Sequence, residues 1–207
     1  MRIRYTLPRG AFLGLLFLGA ALAGCAPGPV PPKFPPIRVV DGQPFPINVA
    51  KIDIVIDYTP PAGGPPNHVE ANMPYSPEMA VRQWVQDRLQ PIGSSNSVRV
   101  LVTDAEATET PLPIDNSLKG AFTTQQVARV DMKVHVAVQV LDDRQMVMAE
   151  ATGDAFRSRT LPQGLTLNQH DQTEYDMLTD VIKALNDQVT PQLRASFGRW
   201  MAVPGGQ

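Results

Sequence analysis

The sequence has only one cysteine and no long basic run, and both absences exclude classes of function. A single cysteine excludes an intramolecular disulfide framework and any zinc or iron–sulfur site that needs several thiolates. A net charge of −2 without a basic stripe argues against a dedicated nucleic-acid-binding protein. The chain of 207 residues is nevertheless long enough for one domain with its own hydrophobic core.

Proline, in contrast, is abundant. The chain has 21 prolines, roughly twice the average usage of about 5%. Twelve of them lie between Pro27 and Pro66, so the excess belongs to the N-terminal part of the chain and one loop.

Residues 1–24 have the zones of a signal peptide. Three arginines and no acidic residue form a positive start: Arg2, Arg4 and Arg9. Residues 11–23 then form an apolar run that is too short to span a bilayer and has the length of a signal-peptide core. No other stretch of the sequence is apolar enough to cross a membrane.

The run ends in Leu22-Ala23-Gly24-Cys25, which resembles the bacterial lipobox. The resemblance implies cleavage before Cys25 and acylation of its sulfur by fatty acids such as palmitate. Acyl chains at this position would anchor the protein stably in a membrane. Because Ala26 follows the cysteine where an inner-membrane retention signal has Asp, the outer membrane is expected, with the protein facing the periplasm. The alternative is an ordinary signal peptide or N-terminal anchor with an incidental cysteine.

Residues 25–48 are predicted as the acylated cysteine and a proline-rich tether. Proline favours extended polyproline II at ~3.1 Å per residue, so residues 26–36 could hold a domain ~30 Å from the bilayer. The globular domain is expected over residues 49–201, with a flexible tail at 202–207. Removal of residues 1–24 deletes three arginines and no acid, which changes the net charge from −2 to −5.

The first half of the domain shows a strand, a helix and a second strand. Residues 49–58 and 98–104 alternate apolar and polar side chains, which predicts half-buried strands. Ser76-Pro77-Glu78 is typical of a helix start, and Pro91 ends the apolar stripe that follows. Residues 105–126 contain prolines, Asn and Gly and are interpreted as a long irregular loop.

The second half predicts a hairpin and a long helix. Every even position of residues 130–140 is apolar, and residues 146–159 form a return strand. Small residues in the return strand suit close packing beneath a helix: Ala149, Ala151, Gly153 and Ala155. Residues 168–201 have helical periodicity, and Pro191 should kink this helix or split it after about residue 186.

These elements predict an α+β domain with the order β-α-β-β-β-α. The expected architecture is one mainly antiparallel sheet of about four strands, with two helices packed on one face.

The sequence offers no recognised catalytic or metal motif. The three histidines, His68, His135 and His170, are not paired at ligand spacing, so no metal or cofactor is expected. Pairs of carboxylates are explained by solvation in loops or on polar faces. Glu150 is expected to pair with Lys133 across the hairpin. The protein is therefore predicted to be non-enzymatic.

One charged pair could carry a function. Arg157 and Arg159 lie on one face near the end of the return strand, where two guanidinium groups could clamp a phosphate, an anionic head group or a partner carboxylate. The alternative is a pair of salt bridges to acids such as Asp131 or Asp154.

The layout from about residue 47 to residue 201, together with the lipobox, resembles small bacterial envelope lipoproteins. These include the lipoprotein that plugs the lipopolysaccharide-export barrel and the auxiliary lipoproteins of lipid-transporting ABC systems. The segments 118–123 (LKGAFT) and 157–162 (RSRTLP) also resemble an uncharacterised family of outer-membrane lipoproteins, and Leu167-Asn168 and the long terminal helix fit that family too.

The sequence therefore predicts an anchored accessory or scaffold protein of envelope assembly or lipid transport. Its expected partners are the membrane, through acyl chains on Cys25, and an envelope protein, with lipid as a further candidate and no nucleic acid. A carrier that encloses a lipid tail between helices and sheet is the alternative, and a periplasmic hydrolase with an unrecognised site is a third.

Overall fold

The computed structural model describes residues 34–39, 43–63, 66–118 and 120–201. The predicted signal peptide, Cys25 and the predicted tail lie outside these residues. The strands are β1 (Phe45–Ile47), β2 (Lys51–Ile56), β3 (Asn67–His68), β4 (Leu89–Pro91), β5 (Ser97–Pro111), β6 (Gln126–Leu141) and β7 (Val147–Pro162). The helices are α1 (Pro77–Arg88) and α2 (Leu167–Ser196), with short 3₁₀ helices at Gly120–Phe122 and Gly198–Trp200.

The main sheet is mixed, with strand order β2-β5-β6-β7 and with β3 beside the far end of β5. The expected antiparallel pairing holds for β5, β6 and β7, but β2 lies parallel to β5. The sheet also has five strands rather than about four. The parallel pair arises because β2 and β5 are connected through α1, and such a crossover returns the chain to the same end of the sheet. A separate two-stranded parallel sheet joins β1 and β4.

Strand β5 is longer than the sequence pattern predicts, so the expectation of an irregular loop from residue 105 is wrong for residues 105–111. The register against β6 shifts between Val102 and Asp104. This bulge changes which residues face inward, from Val98, Val100 and Val102 before it to Ala105 and Ala107 after it. The bulge interrupts the alternation of apolar and polar residues, and small alanines follow it in place of valines. The sequence therefore predicts an end of the strand where the structure continues it.

Both helices pack on one face of the sheet. The helix start at Ser76 is confirmed, since its hydroxyl accepts a hydrogen bond from the backbone N–H of Met79 at 3.3 Å. Buried side chains of α1, α2 and the inward-facing positions of the strands form one hydrophobic cluster. Its largest fully buried members include Trp84, Met132, Leu178, Ile182, Leu185 and Phe197.

Helix α2 begins in a capping box and continues through its proline. The Thr166 hydroxyl accepts from the backbone N–H of Gln169 at 3.3 Å, and the Gln169 side chain accepts from the backbone N–H of Thr166 at 2.9 Å. Of the two outcomes expected at Pro191, the split does not occur. Val189 and Leu193, on either side of the proline, are fully buried, so packing holds the helix together there. None of the helices in the described part of the chain is long and apolar enough to cross a membrane.

Part of the segment predicted as a tether contributes to the hydrophobic core. Ile37, Phe45 and Ile47 are buried, and Phe45 and Ile47 belong to β1. Upstream of them, the Phe34 ring lies 5.1 Å from the ring of Tyr175 on α2, whose hydroxyl donates to the carbonyl of Pro35 at 3.0 Å. Apolar side chains between the prolines explain this packing, because proline-rich composition limits regular structure without preventing burial.

Candidate functional site

An open groove of about 700 Å³ runs between strand β7 and helix α2. β7 is the edge strand of the main sheet, so one of its sides has no neighbouring strand in the described part of the chain. The residues that line the groove carry both charges, and the Phe156 side chain lies on the other face of β7, opposite Lys133. Its lining residues are Asp154, Ala155, Phe156, Arg157, Asp180, Lys183, Ala184, Asp187 and Gln188.

Two glutamines of α2 bond to part of the β7 edge. The side-chain carbonyl of Gln192 accepts from the backbone N–H of Thr152 at 3.1 Å, and that of Gln188 accepts from Asp154 at 2.6 Å. These backbone N–H groups point away from β6. The glutamine side chains accept the hydrogen bonds that a neighbouring strand would otherwise accept. Since such groups alternate along a strand, the outward N–H of Phe156 and of Ser158 come next in the series.

Beyond Asp154, no further glutamine of α2 bonds to the outward backbone N–H groups of β7 in the described part of the chain. The Phe156 ring is 55% exposed, and the outward carbonyl of Phe156 accepts a hydrogen bond from Arg157 at 2.8 Å. An uncovered edge with an exposed aromatic ring beside it is a surface to which another chain can add by backbone pairing.

The two arginines singled out by the sequence lie at this edge, on the face of β7 that α2 covers. Arg157 donates to the Phe156 carbonyl, and Arg159 Nη2 lies 3.9 Å from Asp180 Oδ2 on α2. The suggested salt bridges to Asp131 or Asp154 are not among the contacts described. Asp131 is on the opposite face of the sheet and accepts a hydrogen bond from Ser158 at 2.5 Å. A role of Arg157 and Arg159 in binding an anion or a partner stays a prediction.

Gly153 brings α2 directly onto β7. A Cβ atom built at this position would lie 2.3 Å from Cγ2 of Val189, which is fully buried and β-branched. The neighbouring inward residues Ala151 and Ala155 are also small and buried. The prediction that this strand packs closely beneath a helix is therefore confirmed.

The expected pair of Glu150 and Lys133 is wrong. Glu150 accepts from the Gln139 side chain at 2.5 Å, and Lys133 donates to Asp104 at 2.6 Å. The register explains the difference, because Gln139 lies directly opposite Glu150, whereas Lys133 lies opposite Phe156.

A second polar cluster fills the gap between β2 and β3 along the other side of β5. The carboxylate of Glu70 accepts from the Tyr58 hydroxyl at 2.8 Å and from the backbone N–H of Ala107 at 2.9 Å, and lies 3.1 Å from His68 Nδ1. Glu70 thus bonds to a backbone donor of β5 at a point that neither short strand reaches. Sequence patterns do not indicate this cluster, because Glu70 lies in a turn, His68 in a two-residue strand and Tyr58 in the loop after β2.

The electrostatics of this cluster favour a charged Glu70. Burial alone would raise the pKa of Glu70, but hydrogen bonds from Ala107, His68 and Tyr58 outweigh it and hold the pKa below its usual value. Burial, with the hydrogen bond to Glu70, raises the pKa of Tyr58, which therefore stays a neutral donor. The arrangement is that of a buried acceptor satisfied by three donors, which stabilises the sheet edge.

The substitution Glu70→Gln is expected to lower the free energy of unfolding at neutral pH by about 1–3 kcal/mol, because donors lose a charged acceptor. The folded-state pKa of Glu70 is depressed, so its contribution is full above the ordinary carboxyl pKa and is lost as pH falls through the folded pKa. Urea unfolding at several pH values should therefore show the two proteins converging in acid. Glu78→Gln, in an exposed pair with Arg82, is the control and should cost under about 1 kcal/mol. If Glu70→Gln lowered the free energy of unfolding by the same amount at every pH, the result would contradict this account.

The chain matches no known protein family and no curated protein. Among solved structures the chain is similar to a minor lipoprotein from Acinetobacter baumannii, with 19% sequence identity and a TM-score of 0.34. The match covers 77% of this chain and 100% of that chain. It is also similar to a candidate lipoprotein from Caulobacter crescentus, with 14% identity, coverage of 70% and 88%, and a TM-score of 0.36. A Xanthomonas campestris protein of family DUF330 has 12% identity, coverage of 74% and 94%, and a TM-score of 0.33.

Proposed function

We propose that this protein is a lipid-anchored envelope lipoprotein that acts as an accessory or scaffold by docking a partner protein along the β7 edge. The observation that carries the docking proposal is the backbone edge of β7 beside the groove, with the exposed Phe156 side chain at the same edge on the other face of the sheet. The anchor is proposed at Cys25, the expected acylation site, with the domain facing the periplasm at the outer membrane.

The length of the connecting segment supports an anchored arrangement. Eight residues separate Cys25 from Phe34, which lies against Tyr175 on the domain. A fully extended chain covers at most ~3.3–3.6 Å per residue, so these residues limit the separation of Cys25 and Phe34 to about 30 Å. An acylated Cys25 would therefore keep the domain beside the membrane, where envelope partners are concentrated.

The charge of the groove supports a protein partner. Arg157 and Lys183 bring cations to the groove, and Asp187 brings an anion. Phe156 and Asp154 lie at the same strand edge with their side chains on the other face of the sheet, opposite Lys133 and His135. Charges of both signs and an aromatic side chain along one strand edge, next to outward backbone donors, fit an extended segment that adds as a strand beside β7. Arg157 and Arg159 would then contact the carboxylates of that segment.

Direct packing between α2 and the sheet favours docking over the carrier. A carrier needs apolar space between helix and sheet, whereas at Gly153 an added Cβ atom would already overlap Val189. The groove is open and bears charged side chains, which suits a partner surface better than an acyl chain.

The hydrolase alternative has less support. A hydrolytic site needs a cleft that holds ionisable groups with shifted pKa values. Among the described residues, the carboxyls with shifted pKa values and buried surroundings, Glu70 and Glu174, lie outside the β7–α2 groove.

A photoreactive amino acid at Phe156 tests the docking proposal in intact cells. We expect one dominant cross-linked product, because the side chain at this position would lie at the centre of the interface. The double substitution Arg157→Ala and Arg159→Ala should reduce its yield at least tenfold. The partner is identified by mass spectrometry of the cross-linked band.

The matched control places the same photoreactive residue at Phe122, which is 89% exposed on the loop between β5 and β6. That position should not yield the same product. Identical products from both positions, no product from position 156, or a product unaffected by the arginine substitutions would each contradict the docking proposal.

A further inference from the structure

We propose that Glu109, His170 and Glu174 form a binding site for one divalent transition-metal cation, such as Zn²⁺, which ties the first turns of α2 to the end of β5. The site is distinct from the β7–α2 groove and does not depend on the proposed docking function. The spacing of the histidines predicts no metal, and the proposed site departs from that expectation.

The three side chains converge from two elements. His170 Nε2 lies 3.2 Å from Glu109 Oε2, and His170 Nδ1 lies 3.8 Å from Glu174 Oε1. With one ligand atom taken from each residue, all three atoms lie within 4.8 Å of one another. Tetrahedral ligands about 2.1 Å from a zinc ion lie about 3.4 Å apart, so side-chain shifts of roughly 1 Å are enough to close the set on an ion.

Local structure explains why these residues meet. His170 and Glu174 are four positions apart on α2, which places them on one face of the helix. The capping box at Thr166 fixes where the helix begins and hence which face these residues occupy. On β5, Glu109 continues the inward series of Ala105 and Ala107 and so lies beneath α2. His170 and Glu109 are 61 positions apart in the sequence, which is why spacing alone does not reveal the site.

The buried carboxylate of Glu174 is the observation that points to a ligand. Its side chain is only 4% exposed, and its described contact is an ion pair with His170 Nδ1, 3.8 Å away. A carboxylate taken out of water with so little compensation is costly, and a bound cation would compensate it. Glu109 brings a second carboxylate to the same group of ligand atoms, which adds to the need for a positive charge.

The ligand types select the class of metal. One imidazole nitrogen with two carboxylates suits Zn²⁺ or a similar transition metal, whereas Mg²⁺ and Ca²⁺ prefer oxygen ligands throughout. His170 and Glu109 are 28% and 30% exposed, which leaves room for water or a further ligand to complete the coordination. The cation would then act as a clip between helix and sheet, with one open position.

The test uses the full mature protein, purified in detergent without a polyhistidine tag and stripped of metal by a chelator. We expect it to take up one Zn²⁺ per chain, measured by elemental analysis and by competition with a chromophoric chelator. The variants Glu174→Gln, His170→Gln and Glu109→Gln should each weaken Zn²⁺ binding at least tenfold. Co²⁺ should give the visible absorption of nitrogen and oxygen coordination without a thiolate charge-transfer band.

The matched control is His135→Gln on the opposite face of the sheet, which should leave binding unchanged. Circular dichroism and metal-free melting establish that the variants fold, and Glu109→Gln, at a partly exposed position, gives a second variant that does not depend on the buried carboxyl. Absence of Zn²⁺ binding at micromolar concentration, equal binding in all variants, or equal displacement by Mg²⁺ or Ca²⁺ would overturn the proposal.

Discussion

Replacing Trp84 by alanine is expected to lower the free energy of unfolding by about 3–5 kcal/mol, the usual cost of deleting a buried aromatic side chain. Trp84 is 1% exposed and packs between α1 and the rest of the core. Its indole N–H donates to Asn186 Oδ1 on α2 at 3.3 Å, and the buried Arg88 donates to the same oxygen at 2.9 Å. The substitution would therefore leave a cavity and disturb a buried polar contact between the two helices.

A loss of this size is a large part of the total stability of a domain, which is typically 5–15 kcal/mol. It corresponds to a fall in Tm of about 10 °C for a protein of this length. Urea unfolding followed by circular dichroism measures the free energy directly. The control is Leu118→Ala, at a side chain that is 85% exposed, which should change stability by less than about 0.5 kcal/mol. A loss below about 1 kcal/mol in Trp84→Ala would show that α1 does not pack as described.

Local patterns in the sequence predict most of the larger elements. The capping serine of α1 and the alternation of β6 and β7 depend on residues close together in the chain, and the structure confirms them. The α+β class with two helices on one face of a sheet also follows from these patterns. Their physical basis is short-range, because a cap or an alternating strand needs only neighbouring residues to be recognised.

The features that the sequence does not predict depend on contacts across the chain. The parallel pairing of β2 with β5 is set by the crossover through α1. The second half of β5 is not recognised in the sequence because the bulge after Val102 interrupts the alternation of apolar and polar residues. The partner of Glu150 depends on the register of the hairpin. Periodicity predicts that a strand exists, but it does not define which residues lie opposite each other.

The same limit applies to the candidate sites. Arg157 and Arg159 are predicted as a candidate site from the sequence because two arginines lie close together on one strand. The groove beside them cannot be predicted in this way, because it is formed by the packing of α2 against β7. The clusters of Glu70 and of Glu174 join residues from separate elements, so neither spacing nor composition indicates them.

The substitution Cys25→Ser is expected to reduce incorporation of labelled palmitate to background. In the proposed acylation the sulfur of Cys25 would be the nucleophile that accepts the acyl group, and a serine hydroxyl is a much weaker nucleophile at its ordinary pKa. Without acylation, the precursor should keep residues 1–24, and the protein should be lost from the outer-membrane fraction. Ala26→Ser, next to the cysteine, is the control and should keep its label and its membrane fraction.

The mass of the mature N-terminal peptide, measured on protein extracted from the producing cells, tests the proposed lipid anchor at Cys25 most directly. The account predicts a peptide that begins at Cys25 and carries the added mass of acyl groups on that residue. A mature chain that begins elsewhere, or a Cys25 that carries a free thiol, would contradict it.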